Sequence, residues 1–255
     1  MNSPLIEKLR ELTEGKYRYA LVGSGRLNIL PSNEESLFQL KSIHSYDSLT
    51  TLDYQNAMYV FNKKAKEING RYFEYIDSNT DLSNKNLYYM GVCCLLSKGK
   101  ITSELYHEEG RINDIYIYKS NAIPFLTGLV EDFHFGRNDR DVILSQMDIQ
   151  LFRKVEEREA WSDKRTYTFA PSDKTSVLFV SQQFNSLWKA KSIQEPLNTV
   201  IVNNLYQGVL IPPGTQQVIL EFKPFVRFSW IPQVIYSIFG TGFLFIYVRK
   251  ILVYR

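Results

Sequence analysis

The feature that most constrains the fold is a run of β-type segments over residues 177–224, VLFVSQQFNSLWKAKSIQEPLNTVIVNNLYQGVLIPPGTQQVILEFKP. Apolar stretches alternate with turn-forming Asn, Pro and Gly residues, which predicts four or five short strands. The PPG sequence that ends at Gly214 predicts a tight turn with positive φ at that glycine. We expect segments 209–211 and 218–222 to pair across the turn, and Trp188 to fill one end of the core.

The segments before this run divide into two halves. Residues 1–135 combine apolar patterns typical of helices with patterns typical of strands. They predict helices over 4–14, 51–68 and 82–90 and strands over 17–22, 92–97 and 114–119. The charged stretch 131–140 is interpreted as a solvated interdomain linker. From residue 141 onward, apolar residues recur at every second position, which predicts an antiparallel β-sandwich over 141–226. The predicted fold class is therefore α+β, with a mixed α/β N-terminal half, an antiparallel β-sandwich and one C-terminal transmembrane helix.

The transmembrane prediction comes from residues 228–248, FSWIPQVIYSIFGTGFLFIYV, which contain no charged side chain. About 20 apolar residues are enough for a helix to cross a bilayer. Trp230 and Tyr247 lie near the two ends, where aromatic anchors meet the membrane interface. The alternative is a buried core helix or a pair of sheet strands.

Basic residues on either side of 228–248 predict its orientation. Lys223 and Arg227 precede it and three basic residues follow it, so the positive-inside rule favours a cytoplasmic C-terminus by one residue. That orientation places residues 1–227 outside the cell, although the N-terminus has no apolar core of a signal peptide. We therefore expect the chain to be the C-terminal piece of a longer membrane protein. The rival is a tail-anchored protein with a cytosolic domain.

The overall composition is that of a globular protein. The chain has 255 residues, of which 44% are hydrophobic and 22% are charged, so it is long enough for one large core or two smaller ones. A net charge of +3, without a basic stripe, argues against nucleic acid as a partner. Cys93 and Cys94 are adjacent, which excludes an ordinary disulfide framework and predicts buried small side chains.

The three histidines are the candidates for chemistry, and a structural role is favoured for each. His44 and Asp47 would form an acid–base pair, but a loop that caps the next helix fits the pattern better. His107 lies among glutamates without a spaced second histidine, which disfavours a metal site. His134, close to two aspartates, would form a His–Asp pair, yet a solvated linker is favoured. Residues 23–25, GSG, lack the rest of a phosphate-binding pattern and predict a turn.

Two segments resemble the YfhO family of bacterial membrane proteins. Residues 176–191, SVLFVSQQFNSLWKAK, are similar to a family segment in which a strand is followed by an aromatic residue, a loop, Trp and Lys. Residues 198–224 are similar to a family run of ordered Asn, Gly, Val and Pro positions. The matching positions are Asn203, Gln207, Gly208, Val209, Pro213, Gly214, Val218, Phe222 and Pro224.

Weaker similarities precede these segments in the same order as in the family. They are HSYDSL at 44–49, LYYMGVCCLLSK at 87–98 and IYIYKSNAIPF at 115–125. The resemblance thus extends over most of residues 40–248. The chain departs from the family where Ser45 replaces Gly, Cys93 and Cys94 replace Lys and Tyr, Leu126 replaces Arg, Gln216 replaces His, and Gln194 and Glu195 replace a glycine turn.

The resemblance implies a role next to glycosyl transfer. The YfhO family is similar to GT-C glycosyltransferases, which take sugars from polyprenyl-phosphate donors outside the cell. Their catalytic acidic residue lies in an early loop that has no match here, so the resemblance implies no catalytic residue, cofactor or metal in this chain and no activity for the chain alone. The expected function is an extracytoplasmic accessory domain of a YfhO-like glycosyltransferase of the cell envelope, located in the bacterial cell membrane.

The expected partners follow from the same resemblance. They are the lipid bilayer, upstream membrane helices of the same or a larger protein, and a cell-envelope glycan. Trp188 and Tyr206 are the candidate residues for a glycan platform, although a role in packing is favoured for both. The alternative function is a non-catalytic, membrane-anchored module that binds glycans or another protein.

Overall fold

The structure is a computed structural model of the chain. It describes residues 3–23, 29–30, 38–46, 52–59, 61, 72–73, 75–78, 80, 82–144, 152–161, 163–193, 195–224 and 237. The helices are α1 (Pro4–Thr13), α2 (Leu52–Tyr59) and α3 (Asn86–Tyr89). The strands are β1 (Arg18–Gly23), β2 (Ser45–Tyr46), β3 (Tyr72–Phe73), β4 (Ile76–Asp77), β5 (Val92–Ser97), β6 (Tyr106–Ile112), β7 (Ile115–Ser120), β8 (Thr127–Val130), β9 (Phe133–Phe135), β10 (Asp141–Leu144), β11 (Glu156–Trp161), β12 (Lys164–Thr168), β13 (Ser176–Gln183), β14 (Trp188–Lys191), β15 (Pro196–Leu197), β16 (Thr199–Val202), β17 (Tyr206–Ile211) and β18 (Gln217–Phe222).

The predicted α+β class is wrong, because the described part of the chain is mostly β. Three sheets hold sixteen of the strands, and the longest helix has 10 residues. No helix within the described ranges is long and apolar enough to cross a membrane. The predicted transmembrane segment, residues 228–248, lies outside the described residues except for Ser237. The error has a physical cause: α2 and α3 are short and bury Met58, Leu87 and Tyr89 in the core of the sheets instead of forming a helical layer.

The first sheet has the order β4-β1-β5-β7-β6, with β1 parallel to β4 and β5 and the other pairs antiparallel. All six residues of β5 are buried, because both faces of its sheet are covered. One face is covered by α1, whose Leu5, Leu9 and Leu12 join a core with Cys93 and Cys94. Both thiols are buried and free, as predicted.

The second and third sheets pack face to face as a sandwich, but not as the purely antiparallel one predicted over 141–226, because β10 pairs in parallel with β16. The second has the order β8-β13-β17-β16-β10-β9, and the third has the order β11-β12-β18-β14-β15. Alternate residues of β13 serve two different cores. Leu178 and Val180 pack toward the third sheet with Trp188, whereas Val177 and Phe179 pack toward the first half of the chain. The second sheet is thus a middle layer that is buried on both faces, and Trp188 lies in the sandwich core as predicted.

The predicted pairing of 209–211 with 218–222 is wrong. β17 pairs with β13 and β16 in the second sheet, whereas β18 pairs with β12 and β14 in the third. The intervening turn carries the chain from one sheet to the other instead of closing a hairpin. The turn itself is as predicted, with Gly214 at φ 79.

Two strands that precede residue 141 belong to the second sheet. β8 pairs with β13, and β9 pairs with β10. The interpretation of 131–140 as a solvated linker is therefore wrong, because β9 lies inside that stretch as an edge strand. The division into units 1–135 and 141–226 stays a prediction.

Candidate functional site

A cavity of about 130 Å³ lies where β1 of the first sheet meets the ends of β13 and β17 in the second sheet. We call it the Arg18 cavity. The residues around it come from both layers and from α2, so the site depends on packing of the whole β assembly. Its lining consists of Arg18, Ser42, Ile43, Tyr54, Met90, Ser181, Gln182, Gln183, Leu205 and Tyr206.

Irregular strand pairing shapes this cavity from two sides. β1 slips in register against β5 directly after Arg18. β13 slips against β17 between Val180 and Gln183, so that Ser181 and Gln182 lie outside the regular ladder. A bulge frees backbone groups from strand pairing and changes the direction of side chains, and bulges recur beside functional sites. Both irregularities contribute residues to the cavity.

Arg18 is held at the cavity by neutral oxygen atoms. Its Nη1 donates to the main-chain oxygen of Met90 at 2.6 Å and to Ser181 Oγ at 3.1 Å. Its Nη2 donates to the main-chain oxygen of Ser181 at 2.8 Å. Gly91 makes room for the guanidinium, because a Cβ atom at this position would lie 3.1 Å from Nη1 and 2.7 Å from Leu126 Cδ2.

The charge of Arg18 has no acidic partner in the lining. None of the lining residues within the described chain carries a carboxylate. Burial lowers the pKa of Arg18, and the nearby charge of Arg165 lowers it further. Burial also lowers the pKa of Lys41, and Arg18 and Arg165 add to that shift. Glu157 lies 4.0 Å from Arg165 and offsets part of this positive charge. The cavity therefore lies in a region of positive potential.

Two tyrosines provide the aromatic surface of the cavity. Tyr54, on α2, donates its hydroxyl hydrogen to the main-chain oxygen of Ile43. Tyr206 begins β17, and its ring meets Phe179 edge-on at a centroid distance of 5.0 Å. Burial raises the pKa of Tyr206 well above its usual value, so its hydroxyl stays protonated. Each tyrosine combines an apolar ring with a polar tip, which suits a ligand that has both kinds of surface.

Amide and hydroxyl groups complete the lining. Ser181 donates to the main-chain oxygen of Tyr89 while its Oγ accepts from Arg18. Gln182 differs, because its buried Nε2 has no hydrogen-bond partner in the part of the chain that the structure describes. A buried donor without an acceptor costs about 1–3 kcal/mol. The arrangement is suited to a ligand that brings oxygen acceptors.

The predicted glycan residues, Trp188 and Tyr206, lie in different cores. The Trp188 ring packs against Phe222 at 5.3 Å and has the Arg165 guanidinium at 5.5 Å. Trp188 is only 9% exposed, so little of its ring is left for a sugar to contact. Tyr206 is buried as well but lines the Arg18 cavity. The structure therefore does not bring the two together, and their shared role as a platform stays a prediction.

His44 has a structural position. Its Nε2 accepts a hydrogen bond of 2.7 Å from the Leu21 main-chain N–H, which ties the segment around residue 44 to β1. This acceptor role requires a neutral ring, and burial lowers the pKa of His44 to about 3. Asp47, its suggested acid–base partner, lies outside the described residues.

The other two histidines lie at surface positions. His107 Nδ1 is 2.6 Å from Asn121 Oδ1, and its Nε2 is 3.7 Å from Glu109. His134 lies in the edge strand β9, opposite Ile143 of β10. Within the described ranges, no group of three or more His, Cys, Asp or Glu side chains is arranged to hold a metal ion.

Sequence reasoning missed most of the cavity, including Arg18, Tyr54 and Gln182. Arg18 follows Tyr17 at the start of a predicted strand, where a basic residue is ordinarily solvated. Nothing in its neighbourhood along the chain indicates that the main-chain oxygen of Ser181 lies beside it. One usable signal was present: Ser181 and Gln182 form a polar interruption at the end of the buried segment SVLFV.

Comparisons with known proteins leave the family of this chain open. No protein-family model matches it, and no curated protein matches it. Three solved structures of the arabinofuranosyltransferase AftD from Mycobacteria align with parts of it, each with a TM-score of 0.27. The aligned parts are 30%, 22% and 19% identical and cover 28%, 43% and 44% of this chain. They span only 6%, 7% and 8% of the AftD chains, and a TM-score of 0.27 does not establish a common fold.

Proposed function

We propose that this chain is a glycan-binding accessory domain of a GT-C-type, YfhO-like glycosyltransferase of the bacterial cell envelope. In this proposal the domain lies outside the cytoplasm, next to the membrane part of the enzyme, and holds the acceptor glycan. The transfer reaction, with its polyprenyl-phosphate sugar donor, takes place outside the part of the chain that the structure describes.

The single observation that carries this proposal is the lining of the Arg18 cavity. Tyr54 and Tyr206 offer ring surface, while Ser42, Gln182 and Gln183 offer hydroxyl and amide groups. Small-molecule sites combine apolar or aromatic walls with a few placed polar groups that fix orientation. A sugar has the complementary surface, because its ring has apolar C–H faces and a rim of hydroxyl groups.

The same lining supports binding rather than chemistry. Enzymes that break glycosidic bonds use a pair of carboxyl groups on opposite sides of the bond. The described residues around the Arg18 cavity include no Asp, Glu, His or Cys. In this proposal the cavity orients the sugar, and proton transfer takes place elsewhere.

The family resemblance supports the glycosyltransferase part of the proposal. Within residues 198–224, Gly208 occupies a position that has no room for a side chain. A Cβ atom at this position would lie 2.5 Å from Val202 Cγ2 and 2.9 Å from Val200 Cγ2. Gly208 thus lets the strands of the second sheet pack closely, and Gly214 supplies the positive φ of the turn after β17. The cavity lies at the N-terminal end of β17.

The test is glycan binding by the purified full chain. Maltotriose and mannotriose serve as neutral probes, with saturation-transfer NMR to detect binding and titration calorimetry to measure affinity. Tyr54→Ala should weaken binding roughly tenfold, because it removes one aromatic wall. Tyr59→Ala is the matched control: it lies on the same helix, is 38% exposed and is not among the lining residues.

Three outcomes would count against the proposal. They are no binding of either probe, equal losses in the two tyrosine variants, or unchanged affinity in Tyr54→Ala. Melting curves of each variant show whether it is folded, so that a loss of binding is not confused with unfolding. If the purified chain binds the probes but deletion of its gene leaves the envelope glycans of the cell unchanged, the alternative is favoured, which is a glycan-binding module without a link to glycosyl transfer.

A further inference from the structure

We propose that the Arg18 cavity is an oxyanion site, which binds the carboxylate or phosphate group of an acidic sugar through Arg18 and Gln182. This inference rests on the proposed glycan-binding function and names the class of glycan that the site takes. The donor groups, the charge and the size of the cavity each support it.

The donor groups of Arg18 are only partly used. A guanidinium has five N–H groups. Nη1 uses both of its hydrogens, on Met90 and on Ser181 Oγ, and Nη2 uses one on the main-chain oxygen of Ser181. The Nε–H group and the second Nη2–H group have no acceptor among the described residues. Because Nε and Nη2 are bonded to the same carbon, these two groups can form the parallel fork that binds two oxygens of one carboxylate or phosphate.

Among the described residues that line the cavity, none has a carboxylate that could compensate the charge of Arg18. A buried cation ordinarily has an acidic partner, because removing a charge from water costs several kcal/mol without one. Here the acceptors are neutral oxygens of Met90 and Ser181. After burial, which is the largest cause, the charge of Arg165 lowers the pKa of Arg18, and both arginines lower the pKa of Lys41. An anion in the cavity would relieve this repulsion, whereas a neutral ligand would not.

Gln182 provides a second, independent donor. Its Nε2 is buried without a partner in the described part of the chain, and its residue lines the same cavity. The bulge between Val180 and Gln183 places Gln182 outside the β13–β17 ladder, next to Ser181, whose main-chain oxygen accepts a hydrogen bond from Arg18. An anionic oxygen would satisfy this amide together with the free edge of Arg18. A carboxylate or a phosphate has enough lone pairs to accept from both.

The size of the cavity favours one charged group with its sugar ring rather than a long acidic polymer. Its volume of about 130 Å³ is well below the roughly 300–1,000 Å³ of typical ligand pockets. Tyr54 and Tyr206 border the same space and can contact the face of the ring that carries the charged group. The cavity thus selects a single acidic residue of a glycan.

The experiment compares five probes on the purified full chain by titration calorimetry at low salt. Methyl β-D-glucuronide carries a carboxylate, glucose 1-phosphate carries a phosphate, and methyl β-D-glucoside is the neutral analogue. Acetate and inorganic phosphate test the anionic groups without a sugar. At least one acidic sugar should bind about tenfold or more tightly than the neutral glucoside, because a charge-assisted fork is lost with the latter. The stronger of the two acidic sugars identifies the preferred group.

Variants assign the preference to the cavity. Arg18→Lys keeps the charge but removes the fork, and Gln182→Leu removes the amide donor; each should reduce the preference for the acidic sugar several-fold. Arg111→Gln is the control, since Arg111 is an exposed arginine of β6 with its guanidinium 4.8 Å from the Tyr116 ring. If Arg18→Lys does not fold, the ¹⁵Nε–H signal of Arg18 in the wild-type protein decides, because bound oxyanion should shift it.

The outcomes distinguish a failure of this inference alone from a failure of the proposed function. Equal binding of the glucoside and the acidic sugars leaves glycan binding intact and overturns the oxyanion site. Binding of acetate or phosphate as tightly as the acidic sugars supports the oxyanion site and contradicts a glycan ligand. No binding of any probe overturns both. A preference for acidic sugars that persists unchanged in Arg18→Lys and Gln182→Leu places the anion elsewhere and contradicts the inference.

Discussion

The Nη2 atom of Arg18 donates a hydrogen bond of 2.8 Å to the main-chain oxygen of Ser181, although 163 positions separate the two residues. Arg18 begins β1 in the first sheet, and Ser181 lies near the end of β13 in the second. The Ser181 hydroxyl accepts from Nη1 of the same arginine and donates to Tyr89. This pair therefore joins two layers of the fold and at the same time forms one wall of the cavity.

Replacement of Ser181 by alanine should destabilise the protein by about 1–3 kcal/mol. The change leaves the Tyr89 carbonyl and one Arg18 donor without their buried partner. Urea denaturation followed by circular dichroism measures the loss as a lower midpoint at unchanged slope.

Ser176→Ala is the matched control for that experiment. Ser176 lies on the same strand and is fully buried, but its Oγ has no hydrogen-bond partner among the described residues. Removal of an unpartnered hydroxyl should be neutral or stabilising. Similar losses in both variants would show that the Arg18–Ser181–Tyr89 network contributes nothing beyond burial.

Replacement of Gly91 by alanine should cost more stability than the same change at Gly15. Both glycines have positive φ, +71 and +68, where a side chain costs about 1–2 kcal/mol. Only at Gly91 does the new Cβ meet other atoms, at 2.7 Å from Leu126 and 3.1 Å from Arg18 Nη1. Gly91→Ala should also weaken binding of acidic sugars, because it displaces the guanidinium. Equal unfolding midpoints for the two variants would contradict this account of Gly91.

Local elements of the fold could be predicted from sequence where short-range chemistry determines them. The helix predicted over 4–14 is α1, which begins with Pro4 and is followed by Gly15 at positive φ. The strand predicted over 92–97 is β5, because six apolar or small residues in a row suit a strand with two covered faces. The positive φ of Gly214 follows from its place in the PPG turn.

Sheet membership and the cavity could not be predicted in this way. The turn between β17 and β18 is compatible with a hairpin or with a crossing between sheets. The choice depends on β13 and β12, which pair with β17 and β18 and whose paired residues lie at least 23 positions upstream in the chain. The bulge at Arg18 has no signature in the residue types, and the polar pair Ser181 and Gln182 does not reveal which strand it slips against. Both bulges result from packing of the layers, so the site appears only once the fold is assembled.

The stability of the protein should fall as the pH is lowered from about 6.5 toward 3, and His44 should account for part of that fall. Burial holds the pKa of His44 at about 3 in the folded state, against about 6.5 in the unfolded chain. Between these values the unfolded chain binds the proton and the folded chain does not, so acid favours unfolding. The contribution of this one group is at most about 1.4 kcal/mol per pH unit.

Unfolding free energies of the wild type and His44→Gln between pH 5 and 7 test this prediction. The glutamine retains an oxygen that can accept from the Leu21 N–H but has no proton to gain. Its curve should be flatter than that of the wild type across this window. Parallel curves would mean that His44 titrates alike in the folded and unfolded chains.

Replacement of Gly208 by alanine should destabilise the second sheet, and a second substitution should restore part of the loss. The added Cβ would lie 2.5 Å from Val202 Cγ2, inside a fully packed face, and overpacking of this kind costs about 1–3 kcal/mol. Val202→Ala alone should also be destabilising, because Val202 is completely buried. In the double variant the new methyl group occupies space that the valine has left, so its loss should be smaller than the sum of the single losses by 0.5 kcal/mol or more. Additive losses in urea denaturation would show that contact with Val202 is not the reason why glycine occupies this position.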